Sequence, residues 1–384
     1  MIKELKDLVE ISRFYGSDPD FVIAGGGNTS FKDDRHIWVK ASGFSMNNID
    51  IQGFVQLYRD KVKDTGKKKY SADPHQREVQ VKEDLLTARV HPESGLRPSV
   101  ETSLHEVIGY PFVIHTHPTL VNALMCSVSA EEKTKEFFGD EVLFVPYAPG
   151  YRLFKSVSAL LGRYRKTHER DPQLIFLQNH GIFIGAGSVS EIKDLYDFVI
   201  GKIRKTVDEE PLLPVPKHPD TDLLTKGLLS MVPDKNNTIV IRHNSLHRYF
   251  YERTGRFNLI SRPFTPDIIV YCGPAYLYSD KDDLSSVLSD LKNQWDAYLQ
   301  KFKKQPKIIL VKEYGLIAVE ESKKPAETAL GVFEDFMKIS KYSEAFGGPH
   351  PMPEEEIDFI DRWEVENYRR NILRSANRIS RKAR

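Results

Sequence analysis

Cysteine is scarce in this chain, and so are long apolar runs and any excess of charge. The two cysteines, Cys126 and Cys272, cannot build a disulfide framework, so we expect a protein of the reducing cytoplasm. No apolar stretch approaches the roughly 20 residues that cross a bilayer, which argues against a membrane protein. The 55 basic and 54 acidic residues nearly cancel, which argues against nucleic acid as the partner of the whole chain.

The charge balance has one local exception, the tail from Arg369 to Arg384. Four of its arginines fall at helical spacing: Arg370, Arg374, Arg378 and Arg381. A solvated terminal helix accounts for this pattern, and a contact with another subunit or a polyanion is the alternative.

The length of 384 residues suits two domains, and the sequence patterns divide the chain accordingly. Residues 1–207 alternate helical and strand patterns, beginning with an amphipathic helix over Ile2–Tyr15 rather than a signal peptide. Strands are expected at Ile37–Lys40, Phe112–His117 and Leu174–Gln178, and a capped helix after Ser188. The proline-rich segment 208–220 predicts a linker, which makes residues 221–384 a second domain with the basic tail.

The second half of the chain repeats segments of the first in the same order. The sequence LIFLQNHGIFIGAG from Leu174 aligns with IILVKEYGLIAVEE from Ile308. Two shorter echoes precede it: VETSLH from Val100 with HNSLH from His243, and PFVIHTHP from Pro111 with TPDIIVYCGP from Thr265. Three ordered matches predict a duplicated domain.

Two histidines, His115 and His117, stand one residue apart in an apolar run. A strand sends both imidazoles to one face, about 6–7 Å apart at the backbone, and such a pair suits a metal ion. A pair of hydrogen-bonded strand histidines is the alternative. The repeat favours the metal, because the second copy replaces His115, His117 and His180 together, as expected for ligands of one ion. In the alignment their counterparts are Tyr271, Gly273 and Tyr314.

Three imidazoles predict zinc with open positions for substrate or water, with nickel, cobalt or manganese as alternatives. A cation bound in this way polarises a carbonyl group. The nearest candidate for a proton carrier is Glu101 in RPSVETSLHE. A surface or capping carboxylate is the alternative for this residue, and His105 is expected to serve packing or hydrogen bonding.

Two glycine-containing segments predict the binding of an anion. GGGNTSF, from Gly25, offers flexible backbone with Asn28, Thr29 and Ser30, and WVKASG, from Trp38, ends with Lys40, Ser42 and Gly43. Ser99, close to Glu101, adds a hydroxyl group. Each element alone also fits an ordinary turn, but together with a metal site they predict a phosphorylated small substrate. Neither has the spacing of a nucleotide-binding loop, so we expect no nucleotide cofactor.

The ordered motifs GGGNTS, KASG, PSVETSLH, HTHP, PYAPG and NHG resemble the class II aldolase/adducin family over roughly Glu4–Val207. The resemblance implies zinc on His115, His117 and His180, with Glu101 as catalytic acid/base. It also implies that Tyr147 acts across a subunit interface and that the substrate phosphate is held by Asn28, Thr29, Ser42, Gly43 and Ser99. The implied fold is α/β, a mainly antiparallel sheet between helical layers, usually in a tetramer. Residues 221–384 would be a degenerate second copy without the metal ligands.

Within the family, the chain looks most like the aldolase part of bifunctional rhamnulose-1-phosphate aldolase/dehydrogenases, and we expect it to lack the dehydrogenase part. The implied activity is reversible cleavage of a ketose 1-phosphate to dihydroxyacetone phosphate and an aldehyde. A sugar-phosphate 4-epimerase, a dehydratase and a non-catalytic adducin-like scaffold are the alternatives. The family pattern has two serines before the acid, whereas here Ser99 is followed by Val100.

Overall fold

The computed structural model describes residues 2–146, 150–232 and 237–363. The chain divides into two compact units. The first runs to Val207 and includes Ala345–Gly347, and the second comprises Asp208–Glu344 and the chain from Gly348. This boundary falls at the start of the predicted linker. Within the described ranges, no helix is long and apolar enough to cross a membrane.

The first unit alternates helices and strands along the chain. Its strands are β1 (Asn28–Lys32), β2 (His36–Lys40), β3 (Phe54–Tyr58), β4 (Phe112–Thr116), β5 (Leu143–Val145), β6 (Leu174–Leu177) and β7 (Gly181–Ala186). Its helices are α1 (Ile2–Gly16), α2 (Arg59–Thr65), α3 (Pro74–Thr87), α4 (Thr102–Val107), α5 (Thr119–Met125), α6 (Ala130–Phe138), α7 (Gly150–His168) and α8 (Val189–Arg204).

The seven strands form one sheet in the order β3-β2-β1-β4-β7-β6-β5. All neighbours are antiparallel except β5 and β6, which are parallel. Helices α2, α3, α4 and α7 cover one face, where their apolar side chains share a core with Val39, Val113 and Phe183. Helices α1, α5 and α8 pack on the other face. The first unit is therefore an α/β fold of three layers with a mainly antiparallel central sheet, as predicted.

The predicted elements of this unit agree with the observed ones except in the glycine-rich segment. Helix α8 starts where expected, because the Ser188 side chain accepts a hydrogen bond from the Glu191 amide and caps the helix. The segment from Gly25 was interpreted as a flexible loop, but from Asn28 onward it is strand β1. Pairing with both β2 and β4 absorbs its backbone groups, so these amides are not free to cradle an anion.

The second unit contains a four-stranded sheet between helices. Its strands are β8 (Thr238–Arg242), β9 (Leu277–Ser279), β10 (Ile308–Val311) and β11 (Gly315–Glu320). Its helices are α9 (Thr221–Met231), α10 (Ser245–Tyr251), α11 (Pro266–Cys272), α12 (Leu284–Phe302), α13 (Lys323–Ser343) and α14 (Glu354–Arg362). Helices α9 and α12 share one core with the sheet, and α13 packs against β8 and β11.

Strand order and register in the second sheet match those of half the first. The order β8-β11-β10-β9 has the same directions as β4-β7-β6-β5. Strands β7 and β11 each begin with a glycine, and the residue after that glycine pairs with the last residue of the neighbouring strand. These pairs are Ile182 with Thr116 of β4, and Leu316 with Arg242 of β8. Left-handed backbone also recurs before those glycines, at Asn179 and at Glu313.

The observed register corrects two of the three sequence echoes. Residues Pro266–Cys272 form helix α11, so Tyr271 and Gly273 do not replace the two strand histidines. The true counterpart of β4 is β8. Ile241 therefore occupies the position in the second sheet that His115 occupies in the first, and His243 occupies the position of His117. The echo was misleading because an apolar run between prolines fits a strand and a proline-started helix equally well.

Two further expectations about the repeat fail for the same reason. The second copy was expected to lose all three imidazoles together, but His243 stands where His117 does in the first. His247 follows β8 and is not the counterpart of His105, which lies on a helix before β4. The assignment of a metal site must therefore rest on the geometry of the first unit.

Candidate metal centre

The three predicted histidines converge from two neighbouring strands of the first sheet. His115 lies in β4, His117 follows that strand, and His180 ends the short turn from β6 to β7. Because Thr116 pairs with Ile182, this turn lies beside the end of β4. The Nε2 atom of His115 lies 2.9 Å from that of His117 and 3.3 Å from that of His180. One ring nitrogen from each residue therefore falls within a sphere that one metal ion can occupy.

A glycine allows the histidines to approach so closely. A Cβ atom on Gly181 would lie 2.8 Å from the His117 ring and closer still to the Thr116 carbonyl oxygen. Real Cβ atoms do not tolerate such distances, so any other residue would push β4 and β7 apart at this point. The close approach of the two strands therefore depends on glycine, and it brings His180 beside the end of β4.

The protonation of His115 is fixed by its backbone partner. Its Nδ1 lies 2.9 Å from the Ile182 carbonyl oxygen, which can only accept, so Nδ1 carries the hydrogen and Nε2 presents a lone pair. Burial lowers the pKa of His115 well below its usual range. The neighbouring His117 and His180 also lower this pKa, whereas Glu101 raises it. The imidazole is therefore neutral, the form that binds metals.

Glu101 completes the cluster from the opposite side. It directly precedes α4, and its Oε1 lies 3.5 Å from the Nε2 atoms of both His115 and His180. This oxygen is buried and, among the described residues, has no hydrogen-bond partner. Burial acts to raise the pKa of Glu101, but the adjacent imidazoles and the Asn28 amide outweigh it and lower the pKa below its ordinary value. The side chain is an ionised carboxylate.

These groups fit a divalent cation. Tetrahedral zinc with Zn–N distances of about 2.0–2.1 Å requires ligand nitrogens about 3.3–3.4 Å apart, close to the distances found here. A buried carboxylate oxygen without a hydrogen-bond partner, beside the neutral His115 ring, is costly unless a cation or a proton compensates it. The three histidines can therefore hold a metal ion, with Glu101 beside it.

A chain of hydrogen bonds supports Glu101 from behind. Its Oε2 accepts a hydrogen bond of 2.5 Å from Asn28 Nδ2, which also lies 3.3 Å from Ser99 Oγ. His105 contacts Asn28 Oδ1 through Nε2 and lies 2.7 Å from Ser30 Oγ through Nδ1. Burial lowers the pKa of His105 to about 3, so this imidazole is neutral. Asn28 thus holds the carboxylate, and Ser99 Oγ accepts a hydrogen bond from the Glu101 backbone amide.

The predicted phosphate-binding residues are only partly brought together. An antiparallel bridge from Ala41 to Pro98 places the segment containing Ser42 and Gly43 beside Ser99. Thr29 is different: its hydroxyl lies 2.7 Å from Ser12 on α1, across the sheet from Asn28, because successive strand residues face opposite sides. The structure therefore keeps the Thr29 side chain away from the site. Tyr147 lies outside the described residues.

Sequence reasoning missed the part that Ser30 and His105 take in this arrangement. The sequence predicts packing or hydrogen bonding for His105 and places Ser30 in the GGGNTSF segment, but it does not connect either residue to Glu101. The spacing of His105 four residues after Glu101, with helical sequence between them, is a signal that puts both on one face. The link through Asn28 could not be found in this way, because it depends on β1 lying beside α4.

Comparison with known proteins relates the first unit to a sequence family. A sequence model described as the class II aldolase and adducin N-terminal domain matches residues 6–199. A protein of Bacillus subtilis (strain 168) named "Uncharacterized oxidoreductase YuxG" is 22% identical, and the alignment covers 99% of this chain. The chain spans 60% of the length of that curated relative.

Two solved structures resemble the first half of the chain. The N-terminal class II aldolase domain of a conserved protein from Thermoplasma acidophilum is 27% identical, with a TM-score of 0.45, over 53% of this chain and 92% of that one. The L-fuculose-1-phosphate aldolase from Thermus thermophilus is 14% identical, with a TM-score of 0.36, over 53% of this chain and 94% of its own.

Proposed function

The chain belongs to the class II aldolase and adducin family, and on that premise we propose that it is a zinc-dependent aldolase. The reaction is the reversible cleavage of a ketose 1-phosphate of the rhamnulose or fuculose type to dihydroxyacetone phosphate and an aldehyde. One observation carries the proposal: one ring nitrogen from each of three histidines lies within 4.8 Å of the other two, and an ionised carboxylate lies 3.5 Å from two of these nitrogens. Adducin-like scaffolding alone would require neither.

The residues of the centre divide the chemistry between them. His115, His117 and His180 would hold the divalent cation, which when bound supplies Lewis-acid polarisation of a substrate carbonyl. Glu101 Oε1 would take a proton from the nucleophilic carbon in the synthetic direction and return it after cleavage. Its contact with Asn28 leaves Oε1, not Oε2, available for that proton.

The substrate phosphate would be bound beside Glu101 by Ser42, Gly43 and Ser99. The bridge between Ala41 and Pro98 brings these residues together, and Gly43 has a left-handed backbone (φ 89°) that suits a tight anion-binding turn. Val100 stands where the family pattern has a second serine and is 37% exposed, so one hydroxyl donor is replaced by an apolar side chain. We assign Asn28 to Glu101 rather than to phosphate, since both polar ends of its amide are occupied.

Metal content is the first test, and the repeated sheet supplies a matched control. Elemental analysis of the purified protein should find about one zinc per chain. His117→Ala should lose it, whereas His243→Ala, at the same register position in the second sheet, should keep it. Equal zinc in all three proteins would contradict the assignment of the ligands.

The reaction itself is tested with ketose 1-phosphates. We expect release of dihydroxyacetone phosphate from one of them by the zinc-loaded protein, and loss of that release in Glu101→Gln with zinc retained. Conversion to an epimer or a dehydrated product would instead support the 4-epimerase or dehydratase alternatives. Zinc binding without turnover of any sugar phosphate would contradict the aldolase proposal.

We further infer a homo-oligomer, a tetramer by family resemblance, with Tyr147 acting across a subunit interface near the aldehyde. Light scattering coupled to size exclusion measures the assembly. In a tetramer, mixing Tyr147→Phe with Glu101→Gln subunits should restore part of the activity, because some sites then receive both native residues. Absence of such complementation would place Tyr147 in the site of its own chain or outside the mechanism.

A further inference from the structure

The hydrogen-bond chain behind Glu101 ends at a histidine to which the proposed mechanism gives no part. His105 is fully buried, in the last turn of the short helix α4, and its two ring nitrogens have different partners. Nε2 contacts Asn28 Oδ1, and Nδ1 lies 2.7 Å from Ser30 Oγ. Both nitrogens of a buried imidazole need partners, but here one partner is the same Asn28 amide that donates to Glu101, which links His105 to the carboxylate.

The hydrogens along this chain can be assigned in only one consistent way. The NH₂ group of Asn28 donates to Glu101 Oε2, and its oxygen faces His105 Nε2. A carbonyl oxygen only accepts, so Nε2 of the neutral His105 carries the hydrogen. Nδ1 is then an acceptor, and the Ser30 hydroxyl donates to it. Each group fixes the orientation of the next.

The alternative orientation of Asn28 shows what His105 prevents. If the amide turned over, its oxygen would face the carboxylate and its NH₂ group would face the Nε2 hydrogen of His105. Two acceptors would meet at one end and two donors at the other, in a buried site where unsatisfied polar groups cost most. His105 in the Nε2–H form therefore fixes the amide, and with it the oxygen that Glu101 turns away from the histidine cluster.

We propose that His105 is a positioning residue for the reaction, acting through Asn28 to hold Glu101 Oε2 so that Oε1 faces the three imidazoles. The Ser30 hydroxyl can donate to Nδ1 and so satisfies the ring nitrogen that is left as an acceptor in this tautomer. The inference rests on the proposed function for its catalytic consequence, but the arrangement of hydrogens can be tested without any turnover.

The tautomer is the first test. Long-range proton–nitrogen NMR on the zinc-loaded, nitrogen-15-labelled protein reports which ring nitrogen of each histidine carries a hydrogen, and comparison with His105→Gln assigns the His105 signals. We expect neutral imidazole with the hydrogen on Nε2. Ser30→Ala should shift the Nδ1 resonance of the same residue. A hydrogen on Nδ1, or a doubly protonated ring, overturns the proposal whatever the protein catalyses.

Activity is the second test, read as deuterium exchange into dihydroxyacetone phosphate, the half-reaction assigned to Glu101. His105→Phe keeps the ring volume but removes the donor, and should reduce kcat about 100-fold while KM and zinc content stay within about threefold. His105→Gln can place an amide donor near the position of Nε2, and should recover most of the lost rate. The matched control is His247→Phe, which removes an equally buried histidine from α10 and should leave the exchange rate unchanged.

The outcomes separate this inference from the proposed function. Wild-type protein that binds zinc but exchanges no deuterium would refute the aldolase proposal, and the tautomer would then decide the inference alone. His105→Phe with a wild-type exchange rate would refute the positioning role even if the tautomer is as expected. Equal loss of kcat in His105→Phe and His105→Gln, with zinc retained, would also refute it, because the donor would then not be the feature that matters.

Discussion

Replacing Gly181 by alanine tests whether the approach of β4 and β7 is what builds the metal centre. The new Cβ would lie 2.8 Å from the His117 ring, whereas ordinary carbon contacts begin at about 3.5 Å. The ring would therefore have to move by about 0.7 Å, and the nearby Thr116 carbonyl group would have to move as well. Metal sites tolerate errors of only about 0.2 Å in their ligand distances.

Two effects of Gly181→Ala are expected, and they can be measured separately. Overpacking between the two strands should lower the free energy of unfolding of the chelator-treated protein by about 1–3 kcal/mol. Displacement of His117 should weaken zinc binding by at least about 10-fold, as disturbed ligand orientation does elsewhere. Denaturant titration without metal gives the first quantity, and competition with a coloured zinc chelator gives the second.

A matched glycine in the same unit supplies the control. Gly201 lies in α8, and a Cβ there would meet nothing within 4 Å. Gly201→Ala should raise the free energy of unfolding by up to about 1 kcal/mol through helix propensity, without affecting zinc. If Gly181→Ala behaves like Gly201→Ala in both assays, the steric argument for the site is wrong.

Three further predictions concern buried charges. Burial lowers the pKa of Lys32 to about 7 from an ordinary 10.5. Between these two pH values the unfolded chain binds more protons than the folded chain, so the free energy of unfolding should rise with pH. Lys32→Met should abolish that rise, measured by denaturant titration at pH 7 and pH 9. Glu78 accepts the Tyr151 amide at the start of α7, so Glu78→Ala should cost about 1–2 kcal/mol in thermal unfolding, against little change for the exposed Glu83→Ala. In the second unit, Glu334→Ala should lower the free energy of unfolding by about 1–3 kcal/mol, because Arg242 keeps Glu327 as a partner whereas the buried His247 ring loses the carboxylate beside it. Denaturant unfolding followed by tryptophan fluorescence measures this loss, and an unchanged midpoint would contradict the reasoning.

Local patterns were sufficient for most elements of the first unit. The spacing of apolar residues predicted α1 and α8, because each of these helices buries one face, and the short apolar run around His115 predicted β4, a central strand that is buried on both faces. Proximity of His115 to His117 also follows from strand geometry alone. Their approach to His180 does not follow, because it depends on the pairing of β4 with β7. His115 and His180 are 65 residues apart in the sequence.

Where sequence reasoning failed, distant pairing decided the outcome. Thr29 and Asn28 are neighbours in a motif, but the strand sends one to α1 and the other to Glu101. Tyr271 was aligned with a strand histidine although it lies on α11, since only the pairing of β8 with β11 identifies the real counterpart of β4. Composition and local periodicity contain no information on either pairing.

The repeated half-sheet separates what the backbone needs from what the chemistry needs. Gly181 and its counterpart Gly315 both open a strand that presses against a neighbouring carbonyl group, so the glycine serves the fold in both units. The imidazoles behave differently: of the three ligand positions the second unit retains only His243, whose Nε2 lies 2.7 Å from the Tyr251 hydroxyl. One imidazole with a hydrogen-bond partner can be explained by packing, but three that converge beside a buried carboxylate cannot. The feature that distinguishes the first unit is thus the one that folding does not require, and it is the feature on which the proposed catalytic function rests.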